Sequence, residues 1–464
     1  MKYMSPFTKG LWATIIVLRC NPLMAQQSLT LHRALDSMEV HYPSLQIKQS
    51  LVKAAEAYSV QVNHQRTPSL KLMEQFDAGT NNNIPGTIFT YSTVPSVGGG
   101  TRDGNVPDVQ YSNVSIALLD WELINFGSYK AQDQLAEANI TVQQNDLLKE
   151  KFLLQGAVLS SYFNVLRNYF LQEYSQRAVK RIDTIRQAIN AYVVNGLRAG
   201  VDSSIANAEL SKARLTLLET GRQLDQSKTD LALLTGIDTS LITPDTSNAF
   251  LPSQLILPNT RVDTSAYHPL LQYYQSAYRY NLANEIAIRK SFNPKVRLLA
   301  SGWMRGSSID PSGNFHNNAS DAITQNNRYN YLAGVVLTYN LFDLRRKHDQ
   351  LAVQQYRTQA SEQQYTLQKQ QLETAIKKAD VDVAASLRKL NEIPVQLQAA
   401  RDAYNQRMAL YNAGLANIID VVNAYYVLNR AETDLVLAQD EYRKAIFEEA
   451  YARNQITQLL TLLK

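Results

Sequence analysis

Residue types that support chemistry are sparse in this chain and poorly placed for it. Cys20 is the single cysteine among 464 residues, which excludes an internal disulfide framework and a cysteine-based zinc site. The six histidines, at 32, 41, 64, 268, 316 and 348, never fall at the i, i+3 or i, i+4 spacing that sets two ligands on one helix face. There is no P-loop, no Gly-x-Ser-x-Gly elbow and no phosphate-cradling glycine pattern. A secreted hydrolase would need a carboxylate pair, and no acid pair sits in a glycine-framed loop. The expectation is therefore a protein without catalytic residues, metal or cofactor.

Charge narrows the class further. The net charge is +5, and Lys2, Lys9 and Arg19 lie in the first 25 residues, which hold no acid, so the remainder carries only +2. A nucleic-acid binder usually shows a clustered basic face, and none is expected here. Residues 1–25 read as a signal peptide: Lys2 and Lys9, then the apolar run Leu11 to Leu18, then Leu23-Met24-Ala25 as a cleavage site. Lipid anchoring through Cys20 is the alternative, although Arg19 stands where a lipobox needs a small residue. No later stretch reaches about 18 consecutive apolar residues, so no transmembrane helix is expected. The chain is exported, and then either stays soluble or enters a membrane as strands.

The elements that must position any site are written twice. Asp133-Gln134-Leu135-Ala136 returns as Asp349-Gln350-Leu351-Ala352, and Asn207-Ala208 returns as Asn423-Ala424. Trp121 to Asn125 resembles Tyr339 to Asp343, Pro43 to Gln46 resembles Pro269 to Gln272, and Pro68 to Leu72 resembles Pro294 to Leu298. Ordered matches at nearly constant offset indicate duplication. The first repeat is set at 26–235 and the second at 269–464, with a linker at 236–268.

Each repeat should hold a helix (about 43–66 and 269–291), a strand pair, and two long helices. Ser128 to Asn195 holds no proline and one glycine, Gly156; Asp343 to Asn412 holds no glycine and one proline, Pro394, which is expected to break or kink its helix. Helices of that length would span on the order of 100 Å. Leu210, Leu217, Leu224 and Leu231 recur every seven residues, and Leu428, Leu435 and Tyr442 alternate with Ala431, Ala438 and Ala445. Such seams with small residues let helices pack closely. Nine glutamines between Gln350 and Gln371 read as a solvated or lumen-facing surface.

Strands are expected at 68–78, 109–121, 294–305 and 329–341. Tyr329, Tyr331, Ala333, Val335, Leu337, Tyr339 and Leu341 share one face of the last. Tyr331 and Tyr339 are separated by roughly 26 Å of extended chain, close to the height of an outer-membrane barrel's apolar band. They, with Tyr111 and Trp121, are candidate lipid-interface aromatics. Four strands cannot close a barrel and an open edge cannot face lipid, so several copies must share one. Three copies give twelve strands. The alternative is a periplasmic coiled-coil scaffold, soluble or lipid-anchored, with a sheet capping its bundle.

With these elements in place the mature chain resembles the TolC family of outer-membrane efflux proteins. Leu29-Thr30-Leu31 with Ala34-Leu35, leading to His41-Tyr42-Pro43-Ser44-Leu45, resembles its first helix. Leu341-Phe342-Asp343 with Arg345-Arg346 resembles its strand-to-helix junction. Tyr411-Asn412-Ala413-Gly414 with Ile419-Asp420-Val421 and Asn423-Ala424 resembles its helical tip.

The resemblance implies an α+β membrane protein: a homotrimeric twelve-stranded outer-membrane barrel, four strands per chain, continuing into a long periplasmic α-helical barrel. An equatorial belt would hold the 236–268 linker and the break near Pro394. It implies a passive export duct for small molecules or proteins, working with a periplasmic adaptor and an inner-membrane transporter in an efflux pump or type I secretion system. In the family a tyrosine and two aspartates at the tip help to close the entrance. Tyr411 and Asp420 match two of these; Asn423 stands where the second aspartate is often found, and Ala416 where an arginine partner can lie. The first-half tip, Gly196 to Asp202, reads as longer than the second and offers Arg198 as a different clasp.

Overall fold

The computed structural model describes residues 28–84, 101–246, 267–309, 319–324, 326 and 328–462. The segment expected to be a signal peptide, with Cys20, and most of the expected 236–268 linker lie outside the described residues. The order of elements is α1 (Leu31–His41), α2 (Pro43–His64), β1 (Ser69–Gly79), β2 (Gln110–Ile124), α3 (Ser128–Val194), α4 (Gly200–Thr235), α5 (Pro269–Ser291), β3 (Lys295–Ser307), α6 (Ala319–Thr324), β4 (Arg328–Thr338), α7 (Asp343–Asn412), α8 (Ile418–Ala452) and α9 (Ile456–Leu462). Helix, strand, strand, long helix, helix therefore occurs twice. None of the described helices is long and apolar enough to cross a membrane.

Helix α3 has 67 residues and α7 has 70, on the order of 100 Å each. The sheet joins their N-terminal ends, and tight turns into α4 and α8 close the other end. Along α4 the heptad residues Leu210, Leu224 and Leu231 are buried, and along α8 Leu428, Ala431, Ala438, Tyr442 and Ala445 are buried. The repeat of seven thus packs helix on helix, α4 along α3 and α8 along α7. The largest core cluster draws on the middle of α3 (Val158, Phe163, Leu166), the end of α8 (Ile446, Phe447), α1, Ile242 and α9.

Three sequence expectations change here. Helix α7 continues through Pro394, so of the expected break or kink the break is absent. The residue is exposed, so water can take the Leu390 carbonyl that the missing N–H leaves free, and the packing against α8 holds the helix together. Gln354 is not part of a solvated face: it is 1% exposed. Its Nε2 donates to the Asn281 carbonyl (3.1 Å) and side chain (3.0 Å), and its Oε1 accepts from Asn284 Nδ2 (3.0 Å). These bonds join α7 to α5. The last strand ends at Thr338, leaving Tyr339 outside it, because Asn340 accepts from the Asp343 amide (3.3 Å) and opens the turn into α7.

Gly156 has a packing reason. A Cβ built there would lie 2.8 Å from the Tyr451 ring, which is stacked on Phe152 at 4.1 Å. Gly156→Ala is expected to destabilise the chain by about 1–3 kcal/mol, despite alanine's better helix propensity; denaturant unfolding of the two proteins measures the difference.

His268, fully buried beside Phe152, caps α5 by accepting the Leu270 N–H at Nδ1 (3.3 Å). Burial lowers its pKa from 6.5 to about 4. As pH falls the unfolded chain takes up this proton first. The stability is complete above pH 6.5 and is lost progressively down to about 4. Between pH 7 and 5 the loss is expected to be about 2 kcal/mol. Melting curves should show it in the wild type and show less of it in His268→Gln.

The sheet is antiparallel throughout, in the order β1-β2-β3-β4. The registers align Leu70, Leu119, Ala300 and Ala333 in one row and Leu72, Ala117, Gly302 and Tyr331 in the next. By alternation these rows lie on the same face as Phe76, Tyr111, Trp121, Leu298, Val335 and Leu337, where Glu74 is the single charged strand residue. Lys71, Asp77, Asp120, Glu122, Lys295, Arg297, Arg305 and Arg328 lie on the opposite face. Arg297 pairs with Asp120 and Lys295 with Glu122 across β2 and β3. Every residue of β1 and β4 is exposed, and of the described helices only short α6 packs on the sheet to any extent.

Candidate functional site

At the end away from the sheet, the two hairpin turns have the same construction. Gly196 (φ 73°) and Gly414 (φ 80°) adopt the left-handed conformation. Leu197 N–H bonds to Tyr192 O and Gly196 N–H to Val193 O; Leu415 N–H bonds to Leu410 O and Gly414 N–H to Tyr411 O. This is the glycine-ended Schellman cap. Each helix restarts four residues after its glycine, α4 at Gly200 and α8 at Ile418. The first tip is therefore no longer than the second, contrary to the sequence reading. Their common offset of 218 pairs Arg198 with Ala416 and Asp202 with Asp420.

The structure brings Arg198 and Tyr411 together. Arg198 Nη2 donates to the Tyr411 carbonyl at 2.9 Å, placing a cation on the last turn of α7, where the helix dipole favours it. Its guanidinium carbon is 4.6 Å from the centre of the Tyr411 ring, within cation–π range. The Tyr411 hydroxyl donates to Asp202 Oδ2 at 3.3 Å. Tyr411 is 1% exposed and packs with Ile182, Ile185, Ile189 and Val421. Burial, and then the negative Asp202, push its hydroxyl pKa upward. Sequence reasoning did not single out Asp202 as a site residue. The 218-residue offset from Asp420 was the signal that could have found it.

Asp420 and Asn423 stand outside this clasp. Asp420 belongs to a capping box: its amide donates to Asn417 Oδ1 at 2.9 Å, and its Oδ2 accepts from the Asn417 amide at 3.5 Å. Oδ1 lies outside that box, and Asn423 is exposed on the next turn. Among the aromatic candidates, Tyr111, Trp121 and Tyr331 share the apolar face of the sheet, and Tyr339 lies one residue beyond β4. Trp121 Nε1 donates to Arg66 O at 3.0 Å.

Above the tip, Arg181 on α3 donates to both oxygens of Glu432 (2.8 and 3.2 Å) and to Asn429 Oδ1 (3.0 Å) on α8. Glu432 is buried. Arg181→Ala would strand its charge, and a loss of about 3 kcal/mol in stability is expected. Arg181→Ala/Glu432→Leu should recover most of it, which unfolding measurements on both variants can check.

Long paired helices joined to a four-stranded antiparallel sheet form the protomer fold of outer-membrane channels, and solved structures show the likeness. VceC of Vibrio cholerae superposes with a TM-score of 0.73 at 17% identity, covering 91% of this chain and 95% of that one. CusC gives 0.75 at 16% identity, covering 91% of each. The Campylobacter jejuni channel CmeC gives 0.74 at 13% identity, covering 93% and 89%. No curated protein matches the sequence. The outer membrane efflux protein family model matches residues 34–237 and 268–447, well over half of the chain. The chain belongs to that family, the TolC family of outer-membrane efflux channels, whose members are channels rather than enzymes.

Proposed function

We propose that three copies close into a twelve-stranded barrel through the free edges of β1 and β4, with their helices forming a periplasmic tunnel below it. The observation that carries this reading is a sheet whose outer strands β1 and β4 each pair on one side only among the described residues, and which none of the described helices but short α6 covers. A soluble sheet must cover its apolar face, and a free edge invites pairing. Pairing β4 of one copy with β1 of the next leaves no edge, sets the apolar face toward lipid and encloses the charged face around water. Tyr111, Trp121 and Tyr331, with Tyr339 just below the strand, sit at the lipid boundaries. The two halves are the tandem repeats of a duplicated protomer.

The tip is then the periplasmic entrance. The Arg198–Tyr411–Asp202 clasp holds the two hairpins of a protomer together, and the three protomers narrow the opening. Asp420 and Asn423 line it, and three Asp420 carboxylates near one axis repel one another or bind a cation. Val194, Leu197, Val201, Leu415 and Ile419 are exposed at the turns. They form an apolar surface that suits a periplasmic adaptor, which couples the duct to an inner-membrane transporter in an efflux pump or type I secretion system. The duct itself is passive. Outer-membrane fractionation and native mass test the assembly: a membrane-bound trimer is expected, and a soluble periplasmic species would contradict it.

A further inference from the structure

The second polar feature of the molecule lies at the opposite end from the tip, where strands become long helices. At both junctions the chain exposes a phenylalanine. Phe126, between β2 and α3, is 53% exposed, and Phe342, between β4 and α7, is 98% exposed. They are 216 residues apart, the same offset that relates Asp133–Ala136 to Asp349–Ala352. Phe126 has φ 49°, a conformation that costs a non-glycine residue of order 1–3 kcal/mol. Strain that leaves a large apolar ring in water asks for a partner that accepts the ring.

The cations around these rings point to what that partner is. At this level Arg66 pairs with Asp133, Lys295 with Glu122, Arg297 with Asp120 and Arg346 with Asp343. Lys130, Lys290, Arg345 and Lys347 have no acidic partner among the described residues. Lys130 and Arg345 lie in the first turns of α3 and α7, where positive charge opposes the helix dipole, so the dipole does not explain them. Asn293 Nδ2 donates to Phe126 O at 2.9 Å, which holds the end of α5, with Lys290, against the first junction. Trp121 and Tyr129 flank it, their polar ends bonded to the carbonyls of Arg66 and Gln65.

We infer that this rim binds anionic phospholipid headgroups, the phenylalanines entering at the acyl–glycerol level while the four unpaired cations take the phosphodiester charge. Aromatic rings and basic side chains at one depth are the pattern of a membrane interface, and each cation near an anionic surface contributes about 1 kcal/mol. A zwitterionic lipid carries its own cation and gains less. The inference rests on reading the sheet as a barrel wall, with the rim at the leaflet nearer the tunnel.

The test counts lipids retained by the full-length protein in native mass spectra, with phosphatidylglycerol and phosphatidylcholine as the two probes. Phosphatidylglycerol is expected to bind at least roughly tenfold more tightly. The quadruple variant Lys130→Gln/Lys290→Gln/Arg345→Gln/Lys347→Gln should lose that preference with its mass and conductance unchanged. Phe126→Ser/Phe342→Ser should weaken both lipids. Equal binding of the two lipids by the wild type, or an undiminished preference in the quadruple variant, overturns the inference. So does displacement of phosphatidylglycerol by millimolar inorganic phosphate, which would make the rim a simple anion site. Dissociation of the phenylalanine variant into monomers would make the rings subunit contacts instead. Failure of the duct reading shows separately, as a wild type that does not conduct.

Discussion

Ala333→Arg abolishes outer-membrane assembly while Leu332→Arg, one residue earlier, leaves a conducting trimer: this is the expected outcome of placing one charge on each face of β4. Ala333 lies in the row Leu70–Leu119–Ala300–Ala333, midway along the apolar face. An arginine facing lipid near the midplane of a barrel costs about 2–4 kcal/mol, and a trimer carries three. Leu332 lies on the face with Lys71, Asp120 and Arg297, opposite Ser301, where an arginine projects into water. Heat-resistant trimer in the outer-membrane fraction reads the result. Equal tolerance of both substitutions would mean that neither face meets lipid.

The second large effect is expected at the tip. Arg198→Ala removes the bond to the Tyr411 carbonyl and the cation–π contact, and Asp202→Ala removes the partner of the Tyr411 hydroxyl. A hydrogen bond and a cation–π contact together contribute about 1–3 kcal/mol per protomer. Releasing them should let the hairpins separate and raise single-channel conductance severalfold in the double variant. Asp420→Ala acts differently. It removes the carboxylate expected at the axis, so divalent-cation block should weaken, and it removes half of a capping box, costing α8 about 1 kcal/mol. A double variant with wild-type conductance would reduce the clasp to a structural staple. Unchanged conductance and cation block in Asp420→Ala would remove that residue from the entrance.

Much of this architecture was legible because its signals are long. Heptads over α4 and α8, and 67 and 70 residues with almost no glycine or proline, can only be long packed helices. Alternation along β4 likewise located its apolar face. What escaped depends on single contacts that periodicity does not encode. The glycine at 156 is explained only by the Tyr451 ring above it. Gln354 looked like one more glutamine on a wet surface, yet Asn281 and Asn284 bury it. Pro394 signalled a break, but an exposed proline in a well-supported helix is absorbed. Asp202 escaped because the two tips were read as unequal in length, whereas both are the same six-residue glycine cap.

The most direct measurement is planar-bilayer conductance of the purified full-length protein, after native mass has established its oligomeric state. The expected result is a trimer that inserts and gives discrete steps, small in the wild type and larger in Arg198→Ala/Asp202→Ala. A trimer that never gives steps, or a chain that stays monomeric with its sheet edges unpaired, would contradict the assignment of β1 to β4 as one third of a barrel wall.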